Sequence, residues 1–150
     1  MRTETRYISN IYWSFRRYLK AQLSAEKIFY NPTAMPDPTG FDRWLIFYTG
    51  LYDADLFTRI NPSIICITRN DKDGSDLIDL VSDVFNIFDN PSDNKRNITF
   101  YDKTTGDIIG DIYIDAARII SPSASYKTGL SSSTIDIYGT VKTDRNLKYA

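Results

Sequence analysis

The chain of 150 residues contains no histidine. That absence excludes Ser-His-Asp and Cys-His nucleophilic sites, and every zinc or iron centre that needs imidazole. Cysteine occurs once, at Cys66, so neither an intramolecular disulfide nor a thiolate cluster is available. Lying in the apolar run Ile64–Ile67, Cys66 reads as a buried, inert thiol. The seven glycines are scattered, and none falls in the GxxxxGK[ST] pattern that cradles phosphates. No apolar run is long enough to cross a bilayer, and the N-terminal stretch lacks the apolar core of a secretory signal. The expectation is a cytosolic setting without a membrane partner, in which the glycosylation pattern Asn97-Ile98-Thr99 carries no weight.

Glutamate is nearly missing as well: of nineteen acidic residues only Glu4 and Glu26 are not aspartate. The aspartates, among them Asp107, Asp111, Asp115 and Asp136, fall on turns and strand exteriors and suit solubility. A carboxylate-only enzyme site stays open as an alternative. Asp71-Lys72-Asp73-Gly74 imitates the start of a calcium loop. With Gly74 at its sixth position, however, the first and twelfth ligands would be Arg69 and Leu80, and neither binds calcium. No catalytic residue, metal ligand or cofactor site is therefore assigned.

What is present is an ordinary globular composition: 42% apolar and 25% charged residues, with eleven tyrosines and eight phenylalanines. Such a length buries a core without staples and suits one domain over 1–150. The aromatic surplus suits an interface. A net charge of −1 gives no overall attraction to nucleic acid. The charge is nevertheless uneven. Residues 1–30 carry Arg2, Arg6, Arg16, Arg17, Lys20 and Lys27 against two glutamates, while residues 70–93 carry seven aspartates against Lys72. Opposite poles on one chain can meet head to tail between copies. The alternative is two solvated helix faces.

The stretch Ile64–Asn90 holds the clearest local pattern. An apolar β-rich run leads through the polar turn Asn70–Gly74 into a helix whose Leu77, Leu80, Val81, Val84, Ile87 and Phe88 share one face. Ser75 or Asp73 is the expected cap, with Asp76 and Asp79 at the positive end and Asn90-Pro91 as the stop. Upstream, residues 5–29 predict a long amphipathic helix on Ile8, Ile11, Phe15, Leu19 and Leu23. Arg16, Arg17 and Lys20 flank it as a candidate subunit-facing or DNA-facing surface. Stacking of single strands on Tyr12–Lys20 is the weaker reading, because Tyr12, Phe15 and Leu19 belong to the apolar face.

Asn31–Gly40, with three prolines, predicts a stiff connection. Arg43–Thr49 predicts a strand closed by Gly50, and a second strand runs past Asn61-Pro62 into Ile64–Thr68. Ile98–Tyr101 and Ile108–Ile114 predict a hairpin, with a bulge at Gly110 and the strand continuing through Ile119. Ser121–Ser133, with six serines, predicts a functional or disordered loop. Thr134–Lys142 predicts the last strand, and Thr143–Ala150 a flexible polar tail. The sum is a single α+β domain: a mainly antiparallel sheet with two main helices packed on one face.

The order of these elements, and the phrases IYWSFRRYLKAQL, FDRWLIFYTGLY and ICITRNDKDGSDLIDLVSDVF with a serine-rich stretch near the C-terminus, resemble the tail terminator (tail completion, head-to-tail joining) family of long-tailed phages. The resemblance covers essentially the whole chain. It implies a virion subunit, assembled in the host cytoplasm and located at the head–tail junction. There it would form a hexameric ring that caps the tail tube protein and docks the head-side connector or stopper protein, with DNA only passing through the lumen. Contact residues inferred from this sequence are Tyr126, Lys127 and Leu130 in the serine-rich stretch, then Arg16, Arg17 and Lys20. Another connector or tail-tube module is the nearest alternative, ahead of a small nucleic-acid-binding domain.

Overall fold

In the computed structural model the described residues are 3–54, 58–89, 97–125 and 129–143, with side chains described for 8–50, 58–89, 97–120 and 129–142. Their elements run α1 (Thr3–Gln22), β1 (Ile28–Tyr30), β2 (Arg43–Ala54), β3 (Thr58–Arg69), α2 (Ser75–Asn86), β4 (Asn97–Tyr101), β5 (Ile108–Ser125) and β6 (Leu130–Thr143). The strands form one sheet in the order β1-β2-β3-β6-β5-β4, antiparallel except for the β1–β2 pair. This is the expected α+β class.

Both helices pack on one face. α1 reaches β4 at one margin of the sheet and β2 near the other, so the sheet curls around it, while α2 lies over β3 and β6. Ile11, Phe15 and Leu19 of α1, and Leu23 just after it, join Leu77, Leu80, Val84 and Phe88 and the inward residues of β2–β6 in one buried core. Phe15 lies at its centre, stacked on Phe47 at 5.5 Å and tilted against Phe88 at 6.4 Å. Two buried polar side chains of α1 face β4. Ser14 Oγ accepts from Tyr101 N–H and Asn10 Oδ1 from Lys103 N–H, each at 2.9 Å. The helix thereby satisfies a backbone donor at the end of the edge strand and another in the turn that follows it.

The other face of the sheet has a smaller apolar cluster of Trp44, Ile46 and Ile67, with Phe29, Tyr48, Ile65 and Leu130 packed against it. This follows from the period of two in β2, where Leu45 and Phe47 point to the helices and Trp44 and Ile46 away. The Arg69 guanidinium lies over the Trp44 ring at 5.0 Å and ties the proline-rich connection down. It pairs with Asp37 and donates to the Pro38 carbonyl at 3.3 Å and the Phe41 carbonyl at 3.4 Å.

Several expected boundaries differ. α1 stops at Gln22 rather than near 29, because Ile28-Phe29-Tyr30 is β-branched and aromatic and finds a ladder beside Leu45–Phe47. Gly50 does not close β2. With φ of 75° it forms a bulge between Tyr48 and Leu51, and the strand resumes to Ala54. The expected irregularity near Gly110 is present, as a register shift between Phe100 and Tyr101 opposite it.

Of the two expected caps of α2, Asp73 does accept from a first-turn N–H, that of Ser75 at 3.0 Å, while Ser75 is itself a donor. Gly74 occupies the cap position, and Asp71 reaches over it to accept from Leu77 N–H at 2.8 Å and Asp76 N–H at 3.4 Å. Asp73 also accepts from the Ser75 hydroxyl, and its two bonds from Ser75 hold its carboxyl below the usual range. α2 itself ends at Asn86, and the Asn90-Pro91 stop lies outside the described residues.

The largest correction concerns Ser121–Ser133. β5 continues to Ser125 and β6 begins at Leu130, so most of the stretch is paired strand. The cause is β3: its residues Ile65–Arg69 need a second ladder partner, and β6 supplies it back to Leu130, opposite Arg69. Ser133 is buried and donates its hydroxyl to the Ile120 carbonyl at 2.7 Å, and Asn70 N–H bonds the Gly129 carbonyl at 2.9 Å. Serine here is a small strand residue, not a loop former. β6 extends through Thr143, and the expected tail at 144–150 lies outside the described residues.

Candidate subunit interface

Burial of one stripe of α1 leaves its other side to the solvent, and that side is basic and aromatic. Trp13 is 38% exposed, and Arg17 and Lys20 are exposed. Arg16 is half-buried. Its guanidinium donates to the Tyr12 hydroxyl at 2.9 Å and lies 4.6 Å from the Tyr30 ring centre and 5.1 Å from that of Trp13. Arg17 sits 4.0 Å above the Tyr101 ring, and the Lys103 ammonium 5.2 Å from Trp13. Cation–π contacts orient these side chains without neutralising them. Among the described residues, the ion pairs Arg43–Glu26 and Arg69–Asp37 both lie away from this strip. Two polar atoms in the seam between α1 and β1, Arg16 Nε and the Tyr30 hydroxyl, are buried without a hydrogen-bond partner. Burial pushes the Tyr30 hydroxyl pKa up, with the Arg16 charge pulling it back. The phenol therefore stays neutral beside the cation.

The second surface is the outward side of α2. Leu77, Leu80, Val81 and Val84 face the core, and the helical period turns Asp76, Asp79 and Asp83 to the solvent. Ile78 stands among them, 65% exposed. An apolar centre with charges around it is the anatomy of a protein contact patch. α1 offers the same anatomy with the opposite sign.

Of the residues singled out from sequence, Arg16, Arg17 and Lys20 do share the α1 strip, with Arg16 the most firmly held. Leu130 begins β6 and packs against the Trp44 cluster on the sheet's far face, away from α1. Tyr126 and Lys127 lie outside the described residues. Sequence reasoning missed Trp13, Lys103 and Ile78. The exposed apolar residue on a charged helix face was a legible signal for Ile78. Nothing local places Lys103, which follows β4, beside Trp13 of α1.

Among the described residues no group of His, Cys, Asp or Glu is placed to hold a metal ion, and no helix is long and apolar enough to cross a membrane. Burial pushes the Cys66 thiol from its ordinary 9.0 up to about 12, with the Glu26 charge adding to the effect. A thiol held in that form is a core residue, not a nucleophile.

The chain matches no family model and no curated protein. Several solved structures do match, one of them with a TM-score of 0.64 over 89% of this chain and 94% of its own, at 11% identity. At that identity the likeness shows a shared fold and carries nothing about activity.

Proposed function

We propose that this chain is a structural virion subunit of the tail terminator kind. In this reading it forms a ring that caps the tail tube, stops its polymerisation and presents a docking surface to the head connector. The observation that carries the reading is the pair of unlike, complementary helix faces. The α1 strip has Trp13 amid Arg16, Arg17, Lys20 and Lys103; the α2 face has Ile78 amid Asp76, Asp79 and Asp83. Two different patches that fit one another make a heterologous contact, and a heterologous contact closes into a ring when its rotation permits. Arg16 is the natural anchor. It is pre-oriented by Tyr12, Tyr30 and Trp13, and a carboxylate from the next copy would satisfy it. The resemblance of the whole chain to the terminator family supports six copies per ring and no chemistry.

The test is the mass of the purified protein alone, and its effect on a polymerising tail-tube protein. A discrete six-subunit species, and tubes of bounded length, are expected. Asp79→Lys should break the ring, and Asp79→Lys combined with Arg16→Asp should recover part of it. A species that stays monomeric with tube present and leaves tube length unbounded overturns the reading. Long open polymers of this chain would transfer it to the tube-module alternative.

A further inference from the structure

An edge strand presents unpaired N–H and C=O groups and invites another strand unless it is blunted. Three edge stretches of this sheet are blunted. β1 has three residues and ends at Asn31, whose φ of 46° leads the chain into the proline-rich connection. Where β2 runs on past β1, Asn31 clamps Thr49. The Thr49 N–H donates to Asn31 Oδ1 at 2.9 Å and Asn31 Nδ2 to Thr49 Oγ1 at 2.8 Å, and the Gly50 bulge follows. At the end of β4 the Tyr101 N–H is taken by Ser14 of α1, and the Lys103 N–H just beyond it by Asn10.

β5 differs. β4 accompanies it only from Ile108 to Tyr113. From Ala116 to Ile120 it is paired with β6 on one side and, among the described residues, with no strand on the other. This run is regular, bounded by register shifts at Ile114/Ala116 and Ile120/Ser123. The Ile120 carbonyl faces β6, where it accepts from Ser133 Oγ. Successive residues of a strand point alternately to either side, so Ala117 and Ile119 turn their backbone groups outwards. Ile119 and Ile120, on opposite faces of the sheet, are 47% and 45% exposed.

We infer that Ala116–Ile120 is a strand-addition site, and that its occupant is the same stretch of a second copy, paired antiparallel across a two-fold axis. In a second copy the same stretch is again open among the described residues, and contact between the two edges joins like to like. The charges agree. Asp115 and Arg118 are both exposed, and antiparallel self-pairing brings Asp115 of each copy within one residue of Arg118 of the other. Ala116 and Ala117 at the centre leave room for close approach, and the exposed isoleucines gain cover on both faces. None of the helix-face residues takes part, so this contact is separate from the ring contact and joins copies, or whole rings, in pairs.

The test is hydrogen exchange resolved to single amides on the full chain, from dilute to concentrated protein, together with native mass spectrometry. The amides of Ala117 and Ile119 should become protected as concentration rises, with even-numbered species in the mass spectrum. Ile119→Pro removes an outward N–H that no other strand uses among the described residues and should abolish both protection and pairing. Arg118→Asp should weaken pairing several-fold, and Asp115→Arg with Arg118→Asp should restore it, a rescue that a folding defect cannot mimic. Concentration-independent exchange at Ala117 and Ile119, or charge reversal without rescue, overturns the inference. Six-subunit rings whose Ala117 and Ile119 amides exchange freely would sink the edge pairing and leave the ring. Protected amides with a mass that stops at two would do the reverse.

Discussion

Replacing Gly50 with alanine tests whether the β2 bulge organises the sheet. Gly50 has φ of 75°, and a Cβ added there would lie 1.9 Å from the Asn61 carbonyl oxygen and 2.7 Å from its carbon. Two costs combine. A left-handed backbone charges any L side chain about 1–2 kcal/mol. The clash is with backbone of β3, which cannot swing aside as a side chain can, so the ladder around Asn61 and Pro62 has to move. The expected loss is about 3–5 kcal/mol, in the range reserved for disrupted backbone or core. Gly74 is the internal control: its φ is 79°, yet its Cβ would meet nothing within 4 Å. Gly74→Ala should therefore cost only about 1 kcal/mol, the conformational part alone. Urea unfolding followed by far-UV circular dichroism separates the two, provided the slope with denaturant is unchanged. Equal losses for Gly50→Ala and Gly74→Ala would refute the reasoning, because the β3 contact would then contribute nothing.

Three further outcomes follow from the same structure. Ser14→Ala removes a buried hydroxyl and leaves the Tyr101 N–H without its acceptor, and should cost about 1–2 kcal/mol after alanine's better helix propensity is allowed for; a change under half of that in urea unfolding contradicts the α1–β4 account. Asp71→Ala removes the acceptor for Leu77 N–H and should cost about 1–2 kcal/mol, with faster exchange of the Asp76 and Leu77 amides, whereas equal exchange rates in variant and parent would assign the capping elsewhere. Cys66 titrates near 9 when unfolded and about 12 when folded. The thiol form is thus favoured by folding; its contribution, about 4 kcal/mol at most, is complete below pH 9 and lost as the pH rises towards 12. At pH 8 a thiol-alkylating reagent should modify Cys66 only at the rate of unfolding, and labelling as fast as a free thiol would show the site open.

What was legible in the sequence was whatever depends on neighbours along the chain. The periods of 3.6 and 2 determined that Ile11, Phe15, Leu19, Leu77, Leu80 and Val84 are core and that Ile64 and Cys66 lie in a buried strand, because one apolar stripe has one way to leave water. They also put Arg16, Arg17 and Lys20 on one strip. The missing histidine and the single cysteine determined which chemistries this chain cannot perform. Other features were decided only by the tertiary structure. Ser121–Ser133 is composed like a loop, but β3 had backbone groups to satisfy and drew most of it into strand. Ile28–Tyr30 could have prolonged α1, but a ladder beside β2 gave its β-branched and aromatic residues a better place. Asp71 caps α2 across Gly74, a reach set by the fold of the turn and not by the cap position in the sequence. The meeting of Lys103 with Trp13, and the stretch of β5 that among the described residues pairs only with β6, depend on contacts between residues far apart in the chain. A local pattern limits which face of an element is buried; which elements then meet is settled by the whole chain satisfying its backbone and its core at once.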